Sequence, residues 1–125
     1  MKGKVMKRYT ESHEWIEIEG PIGTVGVTDY AQKELGDIVY VELPQVGKKV
    51  SKGGEAAVLE STKAAADVYS PVSGTILEVN DELSTEAQKV NESPEKGGWL
   101  FKVQLDSPEE ISTLMTWEDY QKSFG

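Results

Sequence analysis

The sequence predicts a mainly β protein, a sandwich or small barrel, with short helical segments near its middle and at its end. Many short strand-like runs are separated by glycine-containing turns, a pattern typical of such folds. A weak internal repeat is the second observation, since residues 36–41 echo residues 74–79, and residues 57–59 echo residues 99–101 in position. The repeat predicts two similar halves related by a pseudo-two-fold axis. The length of 125 residues allows one domain with a modest core.

The first elements are a hairpin and a short helix. Apolar and acidic residues alternate over residues 16–19, which is the period of a strand, and Gly20-Pro21 is a turn signal within a hairpin over residues 14–28. A helix follows, because Thr28 can cap its start and Gly36 can end it.

Five further strands are expected, separated by turns and loops. Their runs alternate or are continuously apolar and are rich in Val, Ile, Leu and aromatic residues. They cover residues 37–43, 55–61, 66–70, 74–80 and 98–105. The polar stretch between the last two, residues 81–97, is expected to form a helical turn and a loop.

The chain is expected to end in a helical tail over about residues 107–125. Ser107 is predicted as an N-cap, with Pro108 in the first helical position and Glu110 completing a capping box. Thr116 can cap a second helix in the same way. At the other end, the basic residues 1–7 are expected to form a flexible start.

Composition excludes several classes of function. A net charge of −9 argues against binding to nucleic acid or to anionic membranes. The absence of cysteine excludes disulfides and thiolate catalysis, and a single histidine, His13, excludes a multi-histidine metal site. No apolar run has the length of a signal peptide or a membrane span, so a cytoplasmic location is predicted. A mature mitochondrial protein would have the same composition.

The stretch VLESTKAAADVYSPVSG, residues 58–74, carries a single positive charge, that of Lys63. Two strand-like runs flank it, so the simple interpretation is a hairpin with Lys63 near its tip. Most exposed lysines on turns only add charge to the surface. Small neighbours, a rigid turn at residues 70–74 and a position between the repeated segments favour a more specific role here.

At this point the sequence resembles a known family. ESTKAAADVYSPVSG resembles the lipoyl-attachment segment of the glycine cleavage system H proteins, and YTESHEWI, VGVTDYAQKELGDIVYVELPQVG and VNES…GGWLFKV resemble three further blocks of that family. The resemblance covers roughly residues 8–122. It implies a single lipoyl-carrier domain over residues 1–125, with a lipoyl/biotinyl-type β-sandwich (a barrel-sandwich hybrid), an N-terminal hairpin, a short helix and a C-terminal helical tail.

The resemblance implies lipoic acid joined as an amide to Lys63. A free lysine is protonated at neutral pH and has no redox chemistry, so the cofactor would supply the reactive dithiolane. The implied partners are a pyridoxal-phosphate-dependent glycine decarboxylase that loads an aminomethyl group, a folate-dependent aminomethyltransferase that takes it, and a dihydrolipoyl dehydrogenase that reoxidises the dithiol. A lipoate ligase or lipoyl transferase would attach the cofactor. The chain itself would be a non-catalytic carrier, expected to be a monomer.

The resemblance also implies a cleft that holds the loaded arm. Ser12, Glu14 and Asp67 are the residues that it assigns to this cleft, where carboxylates would hold a cationic aminomethyl group. The other interpretation is that Glu14 and Asp67 are solvated surface carboxylates. His13 is interpreted as a packing residue that supports the N-terminal hairpin. Trp15 is interpreted as a packing residue, and the alternative that it lines the cleft stays open.

Other functions remain open at this point. An H-protein paralogue that relays lipoate or serves sulfur oxidation would have a similar sequence. A lipoyl domain of a 2-oxo acid dehydrogenase should be shorter and tethered by an Ala/Pro-rich linker. In a biotin carrier, methionines usually stand where Thr62 and Ala64 flank the lysine here. The chain departs from the H-protein pattern at Glu95-Lys96, where a tyrosine often follows the proline, and at Thr62, where valine is frequent.

Overall fold

The computed structural model describes residues 5–124. Its strands are β1 (Val5–Tyr9), β2 (Glu14–Glu19), β3 (Ile22–Val27), β4 (Ile38–Glu42), β5 (Lys49–Val50), β6 (Glu55–Ser61), β7 (Ala65–Tyr69), β8 (Gly74–Val79) and β9 (Phe101–Leu105). Its α-helices are α1 (Asp29–Leu35), α2 (Lys89–Glu92) and α3 (Trp117–Phe124). Two 3-10 turns, Asp81–Ser84 and Pro108–Thr113, complete the ordered elements.

The strands form two antiparallel sheets. The larger sheet has the order β1-β2-β3-β9-β8-β5, and the smaller has the order β4-β6-β7. Buried side chains from both sheets share one hydrophobic core, which includes Ile16 and Phe101 from the larger sheet and Leu59 from the smaller. Full burial of each such side chain stabilises the fold by about 1.5–3 kcal/mol. The predicted mainly β sandwich is confirmed.

The internal repeat corresponds to equivalent strand pairs in the two sheets. In the smaller sheet Val41 pairs with Leu59, and in the larger sheet the equivalent Val79 pairs with Phe101. A register shift interrupts each pair at the same place, between Ile38 and Tyr40 in β4 and between Ile76 and Glu78 in β8. The two halves therefore share this strand pairing and a β-bulge, which agrees with the two similar halves that the repeat predicted.

The first helix forms as its end signals predict. The Thr28 side chain accepts a hydrogen bond from the Ala31 backbone, and Gly36 ends α1 with a φ of 81°. The φ of Gly36 lies in the left-handed region, where a side chain would be strained.

The start of the chain differs from the prediction. Residues 5–7, which were expected to be flexible, lie in β1, which pairs along its length with β2. Tyr9 and Met115 exchange two backbone hydrogen bonds of 2.8 Å on the other side of β1. The basic composition did not indicate this strand, because the strand depends on pairing with β2 and with Met115, which is more than a hundred positions away. Residues 1–4 lie outside the described part of the chain.

The predicted capping box at residues 107–110 is wrong. The Ser107 side chain makes no capping hydrogen bond, and the segment forms a 3-10 turn. The Glu110 carboxylate instead accepts two hydrogen bonds from Ser73, one from its backbone N–H at 2.7 Å and one from its hydroxyl at 2.8 Å. A tertiary contact has replaced the local cap, and it fastens the tail to the turn before β8. The second predicted cap is confirmed, since Thr116 accepts a hydrogen bond from the Asp119 backbone at the start of α3.

Candidate functional site

Lys63 lies at the tip of the β6–β7 hairpin, as the sequence predicts. The turn is closed by a hydrogen bond of 2.8 Å from the Ser61 backbone to the Ala64 carbonyl. The Ser61 hydroxyl oxygen also accepts hydrogen bonds from the backbone N–H groups of Lys63 and Ala64, each at 3.1 Å. A serine side chain thus fixes the backbone of the turn while the lysine side chain stays exposed.

The hairpin tip is attached to the corner between α1 and β4. The Thr62 backbone donates a hydrogen bond of 3.1 Å to the Asp37 carbonyl, and Lys63 Nζ donates one of 3.2 Å to the Glu34 carbonyl. A methyl group added at Gly36 would lie 3.2 Å from Lys63 Cε. The carboxyl end of a helix carries partial negative charge, so it is a favourable place for the ammonium group.

A cleft of about 180 Å³ lies between α1, the loop before β2, and β7. Its walls include all three residues assigned to it from the sequence, Ser12, Glu14 and Asp67. Glu34, whose carbonyl accepts the Lys63 hydrogen bond, also lines it. The remaining lining residues are mostly apolar: Val27, Ala31, Leu35, Leu59, Ala66 and Val68, together with His13.

Glu14 is a buried carboxylate, with 2% of its surface exposed. One carboxylate oxygen accepts hydrogen bonds from the hydroxyls of Thr10 at 2.5 Å and Ser12 at 2.6 Å, and the other accepts one from the Tyr69 backbone at 3.2 Å. Burial raises the pKa of the Glu14 carboxyl above its ordinary value, and these hydrogen bonds oppose the rise. The interpretation of Glu14 as a solvated surface carboxylate is therefore wrong, whereas Asp67 is exposed.

His13 joins the N-terminal hairpin to the C-terminal helix. Its backbone has a φ of 72°, and its Nδ1 lies 2.7 Å from the Tyr120 hydroxyl. That hydroxyl is also 2.8 Å from the Thr28 hydroxyl, and the His13 ring stacks on Tyr30. Burial lowers the pKa of His13, which favours the neutral imidazole. These contacts agree with a packing role and extend it to α3.

Trp15 packs away from the cleft. It is buried with Tyr9 and Tyr120 in a second cluster, and its indole N–H donates a hydrogen bond of 3.1 Å to the Pro94 carbonyl. At the departure from the family pattern, Glu95 forms an ion pair of 2.7 Å with Lys7. Trp15 and the ion pair thus attach the loop around Pro94 and Glu95 to the larger sheet.

Sequence reasoning missed Glu34 and Tyr120. Glu34 follows Ala31 by three residues on the predicted helix, and this spacing alone places it on the face that lines the cleft. Tyr120 gave no comparable signal, because its contacts depend on where the tail folds. Within residues 5–124, no group of side chains is arranged to hold a metal ion, and no helix is long and apolar enough to cross a membrane.

A two-sheet β domain with one lysine at a hairpin tip, beside a cleft containing a buried carboxylate, defines a class of carrier proteins whose cargo travels on a covalently attached arm. The family model described as "Glycine cleavage H-protein" matches residues 7–125. The chain belongs to the glycine cleavage H-protein family. Members of this family are lipoyl carriers, and the H protein is a carrier subunit of the glycine cleavage system and not itself a catalyst.

Individual relatives agree with this assignment. The chain is 51% identical over 117 residues to the glycine cleavage system H protein of Thermotoga maritima, with 94% of each chain covered. It is 53% identical over 114 residues to the probable glycine cleavage system H protein 1 of Sulfolobus acidocaldarius, covering 91% of this chain and 83% of the relative. The crystal structure of a glycine cleavage system H protein from Mycobacterium marinum matches with a TM-score of 0.85 and 36% identity, covering 94% of each chain.

Proposed function

We propose that Lys63 carries lipoic acid as an amide, and that the chain shuttles an aminomethyl group from glycine decarboxylase to the folate-dependent aminomethyltransferase. Dihydrolipoyl dehydrogenase then reoxidises the dithiol, and a lipoate ligase or lipoyl transferase attaches the cofactor beforehand. The observation that carries the proposal is the exposed lysine on a rigid turn, directly beside a cleft that contains Ser12, Glu14 and Asp67. The carrier acts as a cytoplasmic monomer that visits each enzyme in turn.

The cleft residues fit the proposed group. When bound, lipoic acid supplies a dithiolane that accepts electrons and carries the cargo on sulfur. The apolar side chains of Val27, Leu35 and Leu59 suit the hydrocarbon and sulfur parts of such an arm. An amide at Lys63 Nζ keeps one N–H, and the Glu34 carbonyl is already placed to accept a hydrogen bond there.

Glu14 and Asp67 would hold the cationic aminomethyl cargo. Glu14 is withdrawn from water and held in place by Thr10 and Ser12, so its charge acts in a medium of low effective dielectric constant. Asp67 stands at the exposed side of the cleft and would attract the cation from solvent. Covering the cargo in the cleft would limit its reaction with water.

Intact mass with peptide mapping tests the attachment. The protein is produced in cells supplied with lipoate, beside a Lys63→Arg variant and a Lys52→Arg variant as the matched control. We expect one lipoyl group located at residue 63, absent from the Lys63→Arg variant and present in the control. A folded chain that gains no lipoyl group in the presence of a competent ligase would overturn the proposal.

The lifetime of the loaded form tests the cleft. Glu14→Gln and Asp67→Asn should each shorten the time for which the aminomethyl group survives on the isolated carrier. Glu60→Gln is the matched control, since Glu60 is an exposed carboxylate on β6. Equal lifetimes for all four proteins, the wild type included, would contradict the cleft assignment and leave the attachment at Lys63 intact.

A further inference from the structure

Strand β4 presents two adjacent apolar side chains to solvent. Val39 is 59% exposed and Tyr40 is 50% exposed, while Ile38 and Val41 on either side are buried. In a regular strand, neighbouring side chains point to opposite faces, so one of two adjacent residues would face the core. The bulge between Ile38 and Tyr40 breaks this alternation, and both side chains project outward as a result.

This exposed pair, Val39 and Tyr40, lies beside the lysine turn. Tyr40 pairs with Glu60 and Ile38 with Ser61, which puts the bulge level with the last residues before the hairpin tip. One of the two hydrogen bonds that attach the tip to the corner between α1 and β4 ends on the Asp37 carbonyl, two residues before Val39. Two extended residues span about 7 Å, so the pair begins within one side-chain length of the turn.

The other half of the molecule provides an internal comparison. The equivalent bulge in β8 exposes Leu77, at 39%, and the acidic Glu78. The bulge therefore belongs to the repeated architecture, but the half that carries the lysine presents two apolar side chains where the other half presents one. Strand β4 is also an edge of its sheet, whereas β8 lies between β5 and β9.

We propose that the exposed pair is the docking surface for the enzyme that acylates Lys63. The inference rests on the proposed function. That enzyme must bring Nζ itself into its active site, so it has to bind next to the turn. The enzymes that act on the completed arm react at its far end, a full arm's length from Nζ, so the requirement is strictest for the acylating enzyme. An apolar pair close to the lysine therefore suits the acylating enzyme best.

The chemistry of attachment sets what this enzyme must do. Lys63 Nζ leaves the Glu34 carbonyl, loses a proton and attacks the carbonyl carbon of a lipoyl adenylate. The C–N bond forms, the bond from that carbon to the phosphate oxygen breaks, AMP leaves with the electron pair, and the amide nitrogen releases a second proton. The exposed pair is flanked by the acidic residues Asp37, Glu42 and Glu60. The matching face of the enzyme is therefore an apolar patch with a basic rim.

Acylation kinetics test the proposal. Unmodified wild type, a Val39→Ser/Tyr40→Ser double variant and Leu77→Ser as the matched control are each incubated with lipoate ligase, lipoate and ATP. Product is measured by intact mass. Truncating an aromatic contact at the centre of an interface often weakens binding about tenfold or more. We expect kcat/KM to fall at least about tenfold for the double variant, mainly through KM, and to stay at the wild-type value for Leu77→Ser.

Two further measurements make the outcome specific. Urea unfolding should show the double variant as fully folded as the control under assay conditions. Variant that has been lipoylated to completion by long incubation should support glycine decarboxylation at the wild-type rate. A wild-type rate of acylation for the double variant would overturn the inference. An equal loss in decarboxylation would also overturn it, because the surface would then serve the docking of several enzymes. If wild type itself gains no lipoyl group at Lys63, the proposed function has failed, and that result is distinct from both.

Discussion

Replacing Glu110 with alanine should loosen the C-terminal tail. The substitution removes two hydrogen bonds to Ser73, at 2.7 and 2.8 Å, in which the acceptor is charged. Each such bond contributes about 1.5–3 kcal/mol when shielded from water, and partial exposure of Glu110 reduces each to about 1–1.5 kcal/mol. We expect the free energy of unfolding to fall by about 2–3 kcal/mol. For a domain of this size, that corresponds to a loss of about 10 °C in Tm.

Urea unfolding followed by tryptophan fluorescence measures this loss, and a cycle of four proteins identifies its source. The cycle compares wild type with Ser73→Ala, Glu110→Ala and the double variant, and the coupling between the two sites should be about 1 kcal/mol or more. Ser107→Ala is the matched control and should change stability by less than about 0.5 kcal/mol, because its hydroxyl makes no capping bond. A large effect of Ser107→Ala together with no coupling between Ser73 and Glu110 would refute the reasoning and restore the capping box.

Three further predictions concern the cleft and its supports. Because burial raises the pKa of Glu14, the folded state binds its proton more tightly than the unfolded state, so this group lowers stability as pH rises above its ordinary pKa of 4.5. Relative to wild type, Glu14→Gln should gain stability from pH 4 to pH 7 in urea unfolding, and a constant difference would contradict this. Tyr120→Phe removes the hydroxyl that joins α3 to the hairpin and should cost about 1–2 kcal/mol by the same assay, with unchanged stability as the contrary result. Gly36→Ala and Gly47→Ala both place a side chain at positive φ, and each should lower the free energy of unfolding by about 1 kcal/mol. Only Gly36→Ala should slow acylation of Lys63, because its added methyl group would lie 3.2 Å from Lys63 Cε, whereas Gly47 has no neighbour within 4 Å.

The fold could be predicted from the sequence where local signals and tertiary structure agree. The repeat of residues 36–41 at 74–79 predicted two halves, and the structure gives both the same bulge. The Thr28 cap and the Gly36 end of α1 are confirmed because both act within one helical turn. The lysine turn was predicted because the runs on either side of it are strand-like.

The rest depends on contacts between distant residues. Glu110 has the spacing of a capping box, yet a backbone N–H and a hydroxyl on Ser73 offered two better partners. The burial of Glu14 could not be predicted from the sequence, because one of its carboxylate oxygens accepts a hydrogen bond from Tyr69, which is 55 positions away. Strand β1 forms where composition suggested a mobile start, because it pairs along its length with β2 and Met115 pairs with Tyr9 at its end.

The edges of the two sheets also affect how readily copies of the protein aggregate at high concentration. Unpaired backbone N–H and C=O groups on an edge strand can pair with the same strand of another copy, which leads to aggregation. Met115 pairs with Tyr9, the last residue of β1, at one end of the larger sheet, and the strand at the other end, β5, is two residues long. In the smaller sheet the bulge interrupts β4, and the Glu14 carboxylate accepts the hydrogen bond that the Tyr69 N–H of β7 would otherwise offer to a neighbour. Glu14, which lines the cleft beside the lysine turn, thus also occupies a backbone donor at an edge of the smaller sheet.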